Sequence, residues 1–141
     1  MILNRDTTEQ KLHIPKKERE IPLIIQDKRI IEASLDYTFS HHEIIWGMLG
    51  DYICVNGVHK VFRSVGTTSY RLRILNGSNA RIYGLALTHA LPFTLIGTDC
   101  VLLDQSHSID SLTLAPGERA DVLVNFSQLK INTVVCLLYT S

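Results

Sequence analysis

The amino-acid sequence predicts an all-β protein, a two-sheet β-sandwich with Greek-key connections. Three observations lead there. About eight short apolar runs punctuate the chain, several alternating with polar residues at period two, which puts successive side chains on opposite faces of an extended strand. Between the runs stand frequent turn signals, among them Asn56-Gly57, Asn76-Gly77-Ser78-Asn79 and Pro116-Gly117, residue types that tolerate turn or left-handed backbone. No segment shows a convincing helical period, and many short strands with regular turns are the pattern of a sandwich.

Composition agrees. Of 141 residues, 45 % are apolar and 20 % charged, a globular rather than disordered balance. One domain of this size buries roughly 68–70 % of the surface its unfolded chain exposes, enough for a core. Fourteen basic and fourteen acidic side chains cancel, so no broad field directs the chain toward nucleic acid or an anionic membrane. No apolar run reaches the ~18 residues of a membrane span. The first twenty residues lack the apolar centre of a secretory signal, so the sequence assigns no localisation.

In chain order, residues 4–20 are charge-rich, contain little that could pack and have the composition of a linker,. Residues 21–26 (IPLIIQ) form a compact apolar run suited to a strand buried on both faces,. Residues 29–45 are mixed and read as irregular or short strand, with Tyr37, Phe39, Ile44 and Ile45 as apolar anchors. Residues 46–51 read as a loop whose glycines permit tight turns,. The clearest hairpin joins residues 52–55 to 58–62 through Asn56-Gly57, the strongest short-range signal for a two-residue turn. Residues 70–87 organise the rest as strand, turn, strand, with Arg71 and Arg73 marking a solvated or salt-bridged strand edge,. Residues 93–97, 102–103, 111–114 and 120–126 are further strands, and Pro116-Gly117 suits the middle of a type II turn,. Residues 131–141 read as one more strand or as a tail outside the native frame.

Candidate chemistry is sparse. The histidines are His13, His41, His42, His59, His89 and His107, and no two are separated by a single residue. His41 and His42 point opposite ways on extended backbone and seldom share an ion, while His89 and His107 read as surface loop residues. Cys54, Cys100 and Cys136 are odd in number without CxxC spacing, so they read as buried free thiols rather than a disulfide framework or zinc site. Motifs of the GxSxG, phosphate-loop and HExxH kinds are absent,. Residues 118–121 (ERAD), directly after a Pro-Gly turn, read as a structural ion pair. Asn76 and Asn125 open triplets of the glycosylation-acceptor pattern, which matters only in a eukaryotic secretory chain.

Five motifs then align in order: IPLIIQDK at 21–28, GDYICVNG at 50–57, YRLRILNGSNARIYGLAL at 70–87, FTLIGTD at 93–99 and LAPGERADVLVNFS at 114–127. Together they resemble the middle domain of bacterial three-domain multicopper oxidases, the laccase-like and bilirubin-oxidase-like enzymes. The resemblance implies a cupredoxin-like fold and three segments. Residues 1–20 would end a preceding domain and form the linker, 21–130 the middle cupredoxin domain, and 131–141 a non-native tail. Such enzymes oxidise phenols, other aromatics or metal ions and reduce dioxygen to water, using copper held by imidazole and thiolate ligands. By resemblance those ligands lie on the flanking domains. This chain is therefore expected to supply no catalytic, cofactor-binding or metal-ligand residue and to be inactive alone. Copper, the small aromatic or metal-ion substrate and O2 belong to the parent protein, and the flanking cupredoxin domains of that parent are the partners.

Cys54 and His59 have the blue-copper cysteine–histidine spacing. Val55 stands where the family's cluster histidine would follow, and Ser64 where the axial methionine would lie. Cys100-Val101 follows Asp99 where family members commonly carry two glycines; valine there would be strained if φ were positive. The alternative implied by resemblance is a copper-less, multicopper-oxidase-like protein of the cell envelope. For either parent an extracytoplasmic location is implied.

Overall fold

The computed structural model describes residues 11–99 and 101–140. Strand β1 (Glu20–Lys28) follows a 3-10 turn at Lys17–Arg19, and β2 (Ile30–Ile31) and β3 (Ser34–Leu35) form a small separate hairpin. One helix, α1 (His41–Trp46), precedes β4 (Tyr52–Val55) and β5 (Val58–His59). The rest is β6 (Ser69–Asn76), β7 (Tyr83–Leu87), β8 (Phe93–Thr98), β9 (Val101–Ile109), β10 (Ser111–Leu114), β11 (Arg119–Asn125) and β12 (Leu137–Thr140).

Seven strands in the order β5-β4-β1-β6-β11-β8-β9 make the larger sheet, and β10-β7-β12 make the smaller one. All pairs are antiparallel except β1 and β6, which run parallel. From β6 onward the chain repeatedly crosses between sheets, as a Greek-key sandwich requires,. The core lies between them. Ile21, Ile25, Leu72, Ile74, Val122 and Val124 face it from the large sheet, and Tyr83, Leu85, Leu87, Leu112 and Leu114 from the small one. In β7, Tyr83, Leu85 and Leu87 are buried while Gly84 and Ala86 are less so, the period-two alternation of a half-buried strand.

Turn chemistry positions the hairpins. Asn56 and Gly57 adopt φ of 51° and 81°, the left-handed pair of a type I′ turn, which Asn-Gly adopts at low cost. Asn56 is also tied to β1: its Oδ1 accepts from Ile24 N at 2.8 Å and its Nδ2 donates to Pro22 O at 2.9 Å. Between β10 and β11, Gly117 has φ 83° and Glu118 N donates to Ala115 O at 3.0 Å, a type II turn with Pro116 and Gly117 in the middle.

Several expectations are corrected. The Asn76–Asn79 turn does not fold β6 and β7 into a hairpin; it carries the chain from one sheet to the other, because both sides of β6 are occupied, by β1 and β11. Arg71 and Arg73 therefore sit on a central strand, not an edge. β1 is buried on one face only: Ile21 and Ile25 enter the core while Ile24 is 40 % exposed, since the outer face of the large sheet is not covered there. Residues 29–45 hold the short strands expected, paired as a hairpin, but also a helix, and Tyr37, Phe39, Ile44 and Ile45 are exposed rather than anchoring. Pro15 is buried, and Leu12 and Ile14 line a groove with Ile96, Leu102 and Leu103, so this stretch packs more than a linker composition suggests. Residues 1–10, Cys100 and Ser141 lie outside the described residues, and so do the expectations placed on them. Val101 opens β9 opposite Thr98, and Leu137–Thr140 pairs along β7.

Candidate functional site

Among the described residues the imidazoles and thiols form no metal-holding group. His41 and His42 are exposed on α1, a helix rather than the extended backbone expected, and His42 lies against Trp46 with ring centroids 6.4 Å apart. His107 lies on β9, a strand rather than a loop, and His89 in a turn where its Nε2 is 3.0 Å from Val134 O. Cys54 is buried and Cys136 exposed, so the buried-thiol reading fails for Cys136, which sits before β12 at the surface. Cys54 and His59 do face each other across the β4–β5 hairpin. Yet His59 Nδ1 lies 2.9 Å from Ile53 O and its ring packs on Tyr52 at 5.4 Å, and among the described residues no third donor joins them. Among the described residues no group of His, Cys, Asp or Glu is arranged to hold a metal ion. The residues present do not fit a copper centre, whose thiolate and imidazole donors must converge on one point.

The polar chemistry that does converge is structural. Asp27 at the end of β1 is 4 % exposed. Its Oδ2 accepts from Gly50 N at 2.7 Å and from Arg81 Nε at 3.0 Å, its backbone N donates to Ser78 Oγ at 3.0 Å, and Ser78 Oγ lies 3.0 Å from the Tyr83 hydroxyl. Arg81 Nη2 donates to Gly50 O at 2.9 Å. Burial pushes the Asp27 carboxyl up, but the donors Gly50 N–H, Ser78 and Arg81 outweigh it and hold its pKa below the ordinary 3.8,. Burial pushes the Tyr83 phenol above its ordinary value. Gly50 is required by close approach: a Cβ there would stand 2.5 Å from Lys28 N.

Asn76, fully buried, closes the crossover beside this cluster. Its Nδ2 donates to Arg81 O at 2.7 Å and Leu114 O at 2.9 Å, and its Oδ1 accepts from Ser78 N at 3.0 Å. A side chain so enclosed is closed to glycan transfer. Arg71, 2 % exposed, donates through Nε to Asp121 at 2.8 and 3.0 Å and forms an ion pair with it. Arg73 pairs with Glu20 at 3.0 Å. The expected ion pair within residues 118–121 instead reaches outward: Asp121 meets Arg71, Arg119 meets Asp99 at 3.5 Å, and Glu118 accepts from Ala115 N at 2.7 Å. The Asp27–Arg81 lock escaped sequence reasoning because its partners are 54 residues apart; the only local trace was a lone arginine after the Asn-Gly-Ser-Asn turn. What this arrangement does chemically is hold β1, the loop after α1 and the sheet-to-sheet crossover in one rigid frame.

Comparison with known proteins places this frame. The family described as Multicopper oxidase matches residues 25–137. The chain is 41 % identical over 133 residues to the cell division protein FtsP of Xenorhabdus nematophila, covering 92 % of this chain and 28 % of that protein. To the laccase of Bacillus subtilis it is 33 % identical over 140 residues, covering 92 % of this chain and 27 % of the laccase. The solved laccase of Pediococcus acidilactici superposes with a TM-score of 0.86 at 38 % identity, over 94 % of this chain and 29 % of its own. The chain thus spans between a quarter and a third of the length of these three relatives.

Proposed function

This chain belongs to the multicopper oxidase family, with the all-β, cupredoxin-like sandwich of that family, and we propose that it is the copper-free middle domain of a longer, laccase-like oxidase. In this reading the parent removes electrons one at a time from small phenolic or aromatic molecules or metal ions and passes them to O2, which is reduced to water. Copper is held by the flanking cupredoxin domains. No step of that chemistry runs through a side chain of this domain, which is inactive alone. Its task is spacing: the Asp27–Arg81–Ser78 lock and the Asn76 crossover keep the sandwich rigid, so that domains on either side meet at a fixed separation. The parent works outside the cytoplasm.

One observation carries the proposal. The chain has the family's fold at high similarity, while among the described residues the histidines and cysteines form no group arranged to hold a metal ion.

A second reading is favoured by the FtsP relatives, at 41 and 39 % identity. In it the parent is a cupredoxin-built cell-division protein and this domain spaces partners that hold no copper. Sequencing the source gene through both flanks separates the two. His-X-His pairs upstream and a His-Cys-His run downstream support the oxidase; cupredoxin domains lacking those ligands support the division-protein reading.

A further inference from the structure

A surface segment of this chain is ordered without being packed. Neither the β2–β3 hairpin nor α1 contains a buried residue. Ile31, Leu35, Tyr37, Ile44, Ile45 and Trp46 are 54, 55, 52, 70, 59 and 73 % exposed. Consecutive helical residues step round the axis by about 100°, so Ile44, Ile45 and Trp46 together sweep more than half the circumference. A helix laid on its own domain hides an apolar stripe. α1 hides none.

What fastens the segment is polar. Arg29 Nη1 donates to Thr38 O at 2.9 Å and lies 3.6 Å from Asp36 Oδ2, while its Nη2 is ion-paired with Glu43. Asp36 N donates to Arg29 O at 3.0 Å, and Ser40 with Glu43 forms a capping box at the helix start. Six residues fall well below the ~12–15 at which an isolated helix is even marginal in water. Apolar burial stabilises most helices in proteins, and here that contribution is not made within the domain. Exposed apolar surface of this kind marks a contact with another protein.

The solved laccase that covers 94 % of this chain uses only 29 % of its own length to do so, so most of such a parent lies outside the matched domain. We propose that the β2–β3 hairpin and α1 are the face on which a neighbouring cupredoxin domain of the same parent docks, with Ile44 and Trp46 seated in an apolar depression of that domain. This rests on the reading that the chain is one domain of a longer protein. Covalent attachment favours this occupant over a free one. A stable contact between separate proteins buries about 800 Å² per partner, more than a six-residue helix and a short hairpin tip readily supply, whereas a linker raises the neighbour's effective concentration to the millimolar range. The chain's formal charge of zero also leaves an apolar contact as the main attraction.

The test uses this 141-residue chain together with the polypeptides encoded upstream and downstream of it in the source gene, mixed and measured by calorimetry and size-exclusion chromatography. The variant I44S/W46S probes the face, and V101S, at a residue 69 % exposed on β9, is the control. All these side chains are exposed, so both variants are expected to melt at the wild-type temperature. The double variant is expected to bind a flanking domain roughly tenfold or more weakly, with V101S unchanged. Equal binding by wild type and I44S/W46S overturns the docking face while leaving the proposed function standing. Flanks that encode no cupredoxin domain overturn the proposed function itself. A lowered melting temperature in I44S/W46S shows the helix to be packed at home, and self-association abolished by I44S/W46S without competition from either flank assigns the face to a second copy; either result overturns the proposal.

Discussion

Asp27 joins β1 to the loop after α1 through Gly50 and to the sheet-to-sheet crossover through Ser78 and Arg81. Its carboxylate, 1 % exposed as a side chain, meets Gly50 N and Arg81, and breaking a buried pair from one side leaves the other charge uncompensated. D27N is therefore expected to cost about 3 kcal/mol at neutral pH, read as a lower urea midpoint at unchanged m-value. The pH dependence has a definite sign. The folded-state pKa of Asp27 is depressed below 3.8, so its ionised form stabilises the fold above the unfolded value and that stability is lost as pH falls through the folded value. The gap between wild type and D27N should accordingly close below about pH 4. A gap that persists unchanged into acid would show that packing, not charge, is what the substitution removes. Asn56-Gly57 and Pro116-Gly117 were legible because a turn residue's chemistry acts on its own backbone. Asp27 and Arg81 were not, since nothing local in either stretch names a partner 54 positions away.

Among the elements, the segment around α1 is the least supported by packing. Ser40 caps the helix by accepting from Glu43 N, and Glu43, bonded by the Ser40 backbone N–H and by Arg29, is held at a pKa of about 2. S40A should loosen α1 by about 1 kcal/mol. Because α1 buries nothing, the loss is expected as faster amide exchange confined to residues 41–47, with the global melting temperature unmoved; a global loss would place α1 within the cooperative core. The β2–β3 hairpin turns through Glu32 and Ala33 at φ 48° and 63°, left-handed backbone that costs a residue with a Cβ about 1–2 kcal/mol. Glycine relieves that strain at some entropic cost, so A33G should slow amide exchange at Ile31 and Ser34 by a few-fold. Faster exchange would contradict the strain argument. α1 was missed in the sequence because six residues cannot show a helical period, although Ser40 and Glu43 stand at the capping-box spacing that could have revealed it. Strand β10 stood out for the opposite reason: Leu112 and Leu114 alternate with exposed Ser111 and Thr113. β9 was read too short, since its polar run from Asp104 to Ser108 carries no apolar signal and is held by pairing with β8.

At the level of the whole molecule, the two sheets, their turns and the family were legible, because the motifs that carry the resemblance are the strands and turns that build the core. The placement of strands was less so: the parallel pairing of β1 with β6 and the crossover after Asn76 arise from tertiary packing, which local patterns do not encode. The same motifs cannot tell an oxidase from a division-protein relative, since the chain matches both kinds of protein through them and in the proposed reading the deciding ligands lie outside this domain. One comparison addresses this domain's role: the copper content, by metal analysis after reconstitution, of this chain and of the polypeptide encoded by the complete source reading frame. The spacing-domain reading predicts no bound copper in the chain and stable copper, with the intense visible absorption of a copper–thiolate centre, in the complete polypeptide. Stoichiometric copper in the chain alone would contradict it, and a complete polypeptide that binds none would transfer the domain to the division-protein reading.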